Sequence, residues 1–215
     1  MKLYSLNDIF ERRLLRIPDY QRGYAWQKHQ REDFWEDILQ LDSNKIHYTG
    51  VITLEPVSNT IWHKWAQDEW IIEGMEYRPF YIVDGQQRLT TSMILIQAIV
   101  ERIERCNADL PEDQKIQLNY QSINQIRNRY ILYKAEDGLR ESFLFGYEKD
   151  NPSDEFLKTR IFGVHSHSDL NQETLYTRNL HEAKNFFSGK LKEMAIDEVA
   201  ALFKKLTQKL KFNLY

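Results

Sequence analysis

The chain has 215 residues, of which 42% are hydrophobic and 28% are charged, and its formal net charge is -3. This length can bury one substantial core plus a helical extension, and it does not require two independent domains. The near balance of charge excludes a uniformly basic nucleic-acid-binding body, so any contact with DNA must be local.

Cysteine usage and hydropathy indicate the compartment. The single cysteine, Cys106, cannot form an internal disulfide, and no run of cysteines and histidines has the spacing of a structural zinc site. The N-terminal segment lacks the apolar region of a leader peptide, and no stretch approaches the roughly 20 apolar residues of a membrane-spanning helix. We therefore expect a cytoplasmic protein that does not contact a membrane.

Basic residues predominate at the start of the chain. The basic side chains of the first 31 residues are Lys2, Arg12, Arg13, Arg16, Arg22, Lys28 and Arg31, and the acidic ones are Asp8, Glu11 and Asp19. Such a stretch forms either an ordinary solvated face or a surface that contacts phosphate groups, and the sequence leaves both interpretations open.

Helix and strand signals alternate in the first part of the chain. Ser5, followed by Asp8 three residues later, predicts a brief first helix. Pro18 and Gly23 predict a strand end that runs into a shaped loop over 16–26. Apolar spacing then predicts a helix over 29–41 and strands over 48–55 and 80–83.

The later segments are mostly helical in pattern. Residues 61–72, which contain three tryptophans, fit either a hairpin or a loop folded over a site. Apolar residues on nearly every face predict a buried central helix over about 91–105, and helical spacing continues from residue 122 to the end, interrupted over 146–173. We predict an α+β fold, with a small mixed α/β lobe over 1–106 followed by a helical lobe over 107–215.

The most informative stretch is residues 81–91, where an apolar strand ends, Gly85 permits a tight turn and a helix begins. Backbone N–H groups at a helix start are unpaired and carry the positive end of the helix dipole, so this turn predicts a phosphate-binding site. Gln86 and Gln87 add neutral donors, and the guanidinium of Arg88 suits phosphate oxygens.

Further polar residues flank this turn. Asp84, at the strand end, is placed to hold a magnesium-bound water or to orient an attacking one. Thr90 and Thr91 either cap the helix or contact the ligand. The competing interpretation is an ordinary turn, in which Arg88 pairs with a surface carboxylate and the glutamines are solvated.

A second motif, residues 17–26, places aromatic rings around an arginine. In the functional interpretation Tyr20, Tyr24 or Trp26 stacks on a base and Arg22 reaches phosphate. In the other, Tyr24 and Trp26 are core anchors and Arg22 forms a structural ion pair. For Trp26 we favour the core, because large aromatic side chains are more often packed than ligand-facing.

Three segments together carry a resemblance: Ile17-Pro18-x-Tyr20-Gln21-Arg22-x-Tyr24-x-Trp26, Tyr48-x-Gly50, and Ile82-Val83-Asp84-Gly85-Gln86-Gln87-Arg88-Leu89-Thr90-Thr91. They resemble the N-terminal domain of GmrSD-type modification-dependent restriction enzymes, a domain that also occurs in DNA-phosphorothioate defence proteins. The resemblance is strong over residues 5–100 and looser beyond, where Tyr176-x-x-Asn179 and Phe186-Phe187 are similar to the family pattern.

The resemblance implies a core related to ParB and sulfiredoxin, which binds nucleotide phosphates at a turn containing Gly and Arg, and an NTPase activity coupled to the cutting of modified DNA. The implied cofactors are an NTP of unknown base and Mg²⁺. The implied site comprises Asp84, Gly85, Gln86, Gln87 and Arg88, faced by Tyr20, Gln21 and Arg22 and joined by Tyr24, Gly50, Thr90 and Thr91, with Asp84 and Arg88 as catalytic residues and Asp84 as the metal ligand.

The resemblance also implies a nuclease partner. Full-length members of the family commonly end in an HNH nuclease domain, and their chains continue past the helical lobe into a further strand. Because this chain stops at Tyr215, we expect a truncated chain or a split gene product that does not cut DNA alone, with the nuclease domain or subunit elsewhere.

Other site types have less support. A metal site formed by His165, His167, Asp169 and His181 is the weaker interpretation, because this segment has the composition of a polar loop and no firm third ligand follows at helical spacing. The chain has no Gly-x-x-x-x-Gly-Lys-Ser/Thr segment, which excludes a P-loop mechanism.

Three functional hypotheses follow. The first is an NTP-binding and NTP-hydrolysing switch whose nucleotide state governs a nuclease carried elsewhere, with catalysis by positioning and by the charges of Arg88, Arg22 and Mg²⁺. The second is a ParB-like adaptor that binds modified DNA without nucleotide turnover, and the third is a structural interaction domain. The sequence leaves open the preferred base, the DNA modification and whether the chain forms a homo-oligomer.

Overall fold

A mixed six-stranded sheet in the order β1-β8-β3-β4-β2-β7 organises the protein. The computed structural model describes residues 2–42, 45–148, 151–164 and 173–215. Its strands are β1 (Leu3–Tyr4), β2 (Arg13–Ile17), β3 (His47–Pro56), β4 (Arg78–Asp84), β5 (Leu132–Lys134), β6 (Glu141–Phe143), β7 (Phe145–Tyr147) and β8 (Leu210–Leu214). Strand β2 runs parallel to β4 and β7, β3 runs parallel to β8, and the β3–β4 and β1–β8 pairs are antiparallel.

Helices pack around this sheet, and the longest of them is buried. The α-helices are α1 (Leu6–Ile9), α2 (Lys28–Gln40), α3 (Asn59–Trp62), α4 (Glu69–Gly74), α5 (Gln86–Asn107), α6 (Ile123–Tyr130), α7 (Pro152–Phe156), α8 (Leu175–Lys192) and α9 (Ile196–Lys204). Most faces of α5 are buried, and this helix packs against α8. Mixed strands and helices of this kind confirm the predicted α+β class. In the described parts of the chain, no helix has both the length and the apolar character needed to cross a bilayer.

Local signals placed the first elements correctly. The hydroxyl of Ser5 accepts from the backbone N–H of Asp8 at 3.3 Å, and the carboxylate of Asp8 accepts from the backbone N–H of Ser5 at 2.7 Å. This reciprocal cap starts α1 where the sequence predicts a helix. The predicted helix over 29–41 and the predicted strands over 48–55 and 80–83 correspond to α2, β3 and β4.

Two predictions about the middle of the chain were wrong. Residues 61–72 form neither a hairpin nor one continuous loop, because α3 and α4 occupy the two ends of this segment and only residues 63–68 connect them. The central helix begins at Gln86 and not near residue 91, because Gly85 adopts the left-handed conformation and serves as its N-cap. The first turn of α5 is polar in sequence, so apolar periodicity alone detected the helix five residues too late.

The prediction that the chain is helical from residue 122 to the end, apart from the interruption over 146–173, was also wrong. Strand β8 lies between β1 and β3, and β7 extends the sheet beyond β2, so the second half of the chain completes the sheet. Leu206 and Leu210 have helical spacing, yet Leu210 and Phe212 alternate with a less buried residue as in a strand. A short alternation of buried and less buried residues directly after a helical pattern is difficult to distinguish from one more helical turn.

A buried ion pair joins β2 to the start of α4. The guanidinium of Arg16 lies 2.7 Å from the carboxylate of Asp68, and these side chains are only 6% and 12% exposed. Arg16 also donates to the carbonyls of Leu15 and Phe143, and its guanidinium lies over the ring of Trp65. A dehydrated charge is costly unless it keeps these partners, so the contacts of Arg16 hold β2, β6 and the α3–α4 segment together.

Removing the charge of Asp68 should destabilise the fold strongly. In Asp68→Asn the buried guanidinium of Arg16 loses its counter-ion, and breaking a buried pair costs about 3–5 kcal/mol. The matched control is Glu76→Gln, which removes the charge of a carboxylate that pairs with Arg12 on the surface at 63% and 81% side-chain exposure. Urea unfolding of both variants should show a large loss only for Asp68→Asn, and equal losses would contradict the structural role of this pair.

Candidate functional site

The site is built on the turn between β4 and α5. Strand β4 ends at Asp84, Gly85 follows with φ +85°, and α5 begins at Gln86. A carboxylate oxygen of Asp84 accepts from the N–H of Gly85 at 2.8 Å. Gly85 provides no side-chain cap, and no other described side chain accepts from the first N–H groups of α5. These groups are therefore available to a ligand and carry the positive end of the dipole.

Strand β3 approaches this turn so closely that two glycines are required. A Cβ atom on Gly85 would lie 2.9 Å from both the carbonyl oxygen of Val51 and the side chain of Ile52. Gly50 has φ +129°, next to a register shift in the β3–β8 ladder, and a Cβ there would lie 3.1 Å from the guanidinium of Arg88. Strand β3 therefore forms one wall of the site.

The guanidinium of Arg88 points into a cleft between β3 and α2. It forms no hydrogen bond or ion pair with any described residue, although it is half-buried against Gly50. The cleft has a volume of about 260 Å³ and is lined by Trp26, Gln30, Asp33, Phe34, Asp37, His47, Tyr48, Thr49, Arg88 and Leu210. An unpaired, partly dehydrated cation of this kind binds an anion more strongly than a hydrated surface arginine does.

In the ordinary-turn interpretation, Arg88 pairs with a surface carboxylate. No described residue provides such a partner. The carboxylates of Asp33 and Asp37, one helical turn apart on α2, line the same cleft. Neither residue was predicted from the sequence. Their i,i+4 spacing on the polar face of the predicted helix 29–41 indicates that the two carboxylates share one face of that helix.

Two glutamine side chains form a relay beside the turn. Gln21 donates through Nε2 to the carbonyl of Val83 at 2.9 Å, which fixes the orientation of its amide. Its Oε1 then accepts from Nε2 of Gln86 at 3.0 Å, which fixes the second amide in turn. Oε1 of Gln86 is buried and has no partner among the described residues. The relay thus leaves one unsatisfied acceptor at the first residue of α5.

Gln87 holds the loop after β2 and does not face solvent as a free donor. Its Oε1 accepts from the N–H of Ala25 at 2.8 Å, and its Nε2 donates to the carbonyl of Gly23 at 3.1 Å. From the other side, the amide of Asn179 on α8 donates to the carbonyl of Tyr24 at 3.1 Å. The loop is therefore held between the start of α5 and the start of α8.

Two further contacts fasten this loop to α8 and α2. A Cβ on Gly23 would lie 2.6 Å from the ring of Tyr176, so the loop backbone lies directly against that ring. Arg31 donates to the carbonyl of Trp26 at 3.1 Å and pairs with Glu182 at 3.0 Å. The pattern Tyr176-x-x-Asn179 therefore has a physical role, which is to hold the loop after β2. The sequence alone did not indicate this role.

Tyr24, Thr90 and Thr91 lie in the core under the turn. The hydroxyls of Thr90 and Thr91 donate to carbonyls one turn earlier in α5, and both residues are at most 1% exposed. Because the hydroxyl of Thr91 donates to Gln87, the phenol of Tyr24 donates to Thr91 at 2.9 Å. Burial raises the pKa of Tyr24, so the phenol stays a donor. The structure thus places these three residues in the core beneath the turn, and the N-cap of α5 is Gly85 and not a threonine.

The remaining predicted residues of the loop face outward. Tyr20 is 70% exposed, and the neighbouring Arg22 is also exposed. Trp26 packs edge-on against Phe34 with ring centroids 5.8 Å apart, yet its other side lines the cleft. Trp26 is therefore both a core contact and part of the cleft wall.

The basic N-terminal stretch is mostly used within the fold. Arg12 pairs with Glu76, Arg13 donates to carbonyls of α1, Arg16 pairs with Asp68, Lys28 pairs with Glu32, and Arg31 pairs with Glu182. The carboxylates and carbonyls therefore neutralise these basic side chains or hold them against the protein. Few basic groups of the N-terminal stretch remain to contact phosphate groups. The aromatic segment 61–72 is likewise packed inward, with Trp62 only 7% exposed.

Most of the predicted histidine metal site falls outside the described residues. This applies to His165, His167 and Asp169, whereas His181 is an exposed residue of α8.

The chain matches the model of a known protein family. A family model described as the GmrSD restriction endonuclease, N-terminal domain, matches residues 6–214, which is nearly the whole chain. A search of curated proteins gives no match.

The close approach at Gly85 should make this glycine much less replaceable than another glycine of similar conformation. The control is Gly138, which has φ +69° and nothing within 4 Å of a Cβ position. Gly138→Ala should cost only the left-handed backbone penalty of about 1–2 kcal/mol, whereas Gly85→Ala adds an overpacking cost of about 1–3 kcal/mol against β3. Thermal unfolding of the two variants measures the difference, and equal melting temperatures would refute the close packing.

Proposed function

We propose that this chain, which belongs to the family of GmrSD restriction endonuclease N-terminal domains, is the nucleotide-binding and NTP-hydrolysing regulatory module of its restriction system. The family identifies the chain as a component of restriction and phage-defence systems. In the proposed role, the phosphates of an NTP bind at the β4–α5 turn, and the nucleotide state governs a nuclease domain or subunit carried elsewhere.

One observation carries the proposal: among the described residues, the guanidinium of Arg88 has no partner and lies beside a helix start that no side chain caps. The N–H groups of Gln86, Gln87 and Arg88 provide hydrogen bonds to phosphate oxygens, and the guanidinium adds charge. Gly50 leaves room for Arg88 to lie flat against β3. Gln86 is 7% exposed and its Oε1 has no partner among the described residues, which is a second feature that points to a ligand or water at the first residue of α5.

The residues present fit Mg²⁺. This ion usually binds through one or two protein carboxylates together with substrate phosphates, so a single well-placed carboxylate is sufficient. Asp84 is exposed, and one of its oxygens accepts from Gly85 while the other has no partner among the described residues. Bound there, the ion would neutralise charge on the phosphates.

The chain's own residues would act mainly by positioning. The αL turn orients the first amides of α5, Arg88 neutralises the phosphate group, and Asp84 orients an attacking water or its metal ligand shell. The loop held by Gln87 and Asn179 forms the facing wall, from which Arg22 can add a second cation. Phosphoryl transfer needs little covalent chemistry from the protein, so such an arrangement suffices for slow, regulated hydrolysis.

A ParB-like DNA-binding adaptor without nucleotide turnover is the second candidate. The observation that favours it is the exposed pair formed by Tyr20 and Arg22, since an aromatic ring and a guanidinium together bind single-stranded or modified DNA. Against it, the other arginines of the N-terminal stretch are already paired within the fold.

Arg88→Ala should abolish nucleotide binding without unfolding the protein. Charge-assisted hydrogen bonds to phosphate contribute about 1.5–3 kcal/mol each, so the loss of a bidentate pair should weaken binding at least tenfold. The matched control is Arg105→Ala, at the far end of α5, where the guanidinium pairs with Glu101 at the surface. Calorimetry with Mg²⁺ and each of the four ribonucleotides measures the effect.

Two outcomes would count against the nucleotide site. Equal affinity in Arg88→Ala and wild type would remove Arg88 from it. Salt-sensitive DNA binding that needs no nucleotide, and that Tyr20→Ala weakens, would favour the adaptor.

Asp84→Asn should separate hydrolysis from binding. The asparagine Oδ1 can still accept from the N–H of Gly85, so the turn and the melting temperature should be retained. Loss of the negative charge should leave nucleotide binding unchanged or tighter, while hydrolysis is lost. Phosphate release and thermal unfolding are measured together, and wild-type turnover in this variant would remove Asp84 as metal ligand and as base.

A further inference from the structure

A second cluster of potential ligand atoms lies between α3 and α4 and includes none of the residues of the proposed nucleotide site. It consists of His63, Glu69 and Glu73, whose ligand atoms all lie within 4.8 Å of one another. Within residues 2–42, 45–148, 151–164 and 173–215, no other group of three histidine, cysteine or carboxylate ligands is this close. His63 and Glu69 belong to the tryptophan-containing segment 61–72, for which the sequence did not decide between two structures, and Glu73 directly follows it.

Helix geometry brings the two carboxylates together. Glu69 is the first residue of α4 and Glu73 lies one turn later, so both side chains project from the same face. Nδ1 of His63, which ends α3, lies 3.0 Å from a carboxylate oxygen of Glu69. Ligand atoms of a tetrahedral zinc site are roughly 3.3 Å apart when each bond is about 2.0–2.1 Å long. The His63–Glu69 distance is close to this value, and the carboxylate of Glu73 lies within 4.8 Å of both.

A simple His–Glu ion pair explains only part of the cluster. Two glutamates one turn apart repel each other, by about 0.2–0.5 kcal/mol on an exposed helix. Among the described residues, no lysine or arginine pairs with either one, and the adjacent Lys64 forms no ion pair. A bound cation would remove this repulsion and use the second carboxylate.

The imidazole is already oriented. The ring of Trp62 lies against that of His63 with centroids 3.9 Å apart. Trp62 is itself 7% exposed and donates through Nε1 to Asn59 at 3.1 Å. A ligand held in place by a buried neighbour loses less conformational freedom when it binds a metal.

We propose that His63, Glu69 and Glu73 form a binding site for a divalent transition-metal ion, with Zn²⁺ the best match, which links α3 to α4. One imidazole nitrogen and two carboxylate oxygens are ligands that borderline cations prefer, whereas Mg²⁺ prefers oxygen alone. The ligands are exposed, so water completes the coordination. The site is separate from the cleft around Arg88.

The test uses the full chain, freed of metal by a chelator and titrated calorimetrically with zinc chloride. Wild type should bind one Zn²⁺ at this site, and His63→Ala and Glu73→Gln should each weaken that binding at least tenfold. The matched control is His29→Ala, because His29 also lies beside a carboxylate, Asp33 at 3.4 Å, but belongs to no three-ligand group. All substituted side chains are exposed, so circular dichroism should show unchanged folding.

A second readout locates the ion. Ni²⁺ quenches tryptophan fluorescence at short range, and the ring of Trp62 lies on His63. Quenching should therefore be strong in wild type and in His29→Ala and should be largely lost in His63→Ala. The proposal is overturned if wild type binds no Zn²⁺, or if His63→Ala and Glu73→Gln bind Zn²⁺ as tightly as wild type does, which would assign the binding to other histidines.

Discussion

The close packing of β3 against the β4–α5 turn is the constraint on which the site depends. Gly85 must have a positive φ and no side chain, because Val51 and Ile52 lie within 3.2 Å of where its Cβ would be. That single residue ends β4 and starts α5 without a side-chain cap. Gly50 likewise has no side chain where β3 passes the guanidinium of Arg88. The space for a ligand therefore comes from two glycines at a close approach of the backbone, and not from a long phosphate loop.

The second half of the chain gives this turn its rigidity. Strand β8 pairs with β3, which forms a wall of the cleft, and Leu210 of β8 lines the cleft itself. Helix α8 holds the loop after β2 through Asn179 and the ring of Tyr176. A ligand that orders this loop would therefore be coupled to α8 as well as to α5, which offers a physical route from nucleotide state to a partner nuclease.

Local chemistry predicted much of the fold, and long-range packing explains what it missed. The Ser5 cap, the turn at Gly85 and the apolar faces of α2 and α5 are written within a few residues, so their elements could be predicted. The place of β8 in the sheet depends on β1 and β3, some 160 residues earlier or more, and no local pattern encodes that pairing. Likewise, the sequence suggested that Thr90 and Thr91 cap the helix or contact the ligand, and only the packing shows that their hydroxyls donate to helix carbonyls in the core.

The central claim is that nucleotide phosphates bind the first amides of α5, and amide NMR of the ¹⁵N-labelled chain tests it most directly. Mg²⁺ and a non-hydrolysable analogue of each ribonucleotide would be added in turn. The proposed site predicts that the N–H signals of Gln86, Gln87 and Arg88 shift together with those of β3 near Gly50, while signals from the β5–β6 hairpin stay in place. If no analogue moves the α5 amides at saturation, or if the shifts cluster elsewhere, the β4–α5 turn is not a nucleotide site.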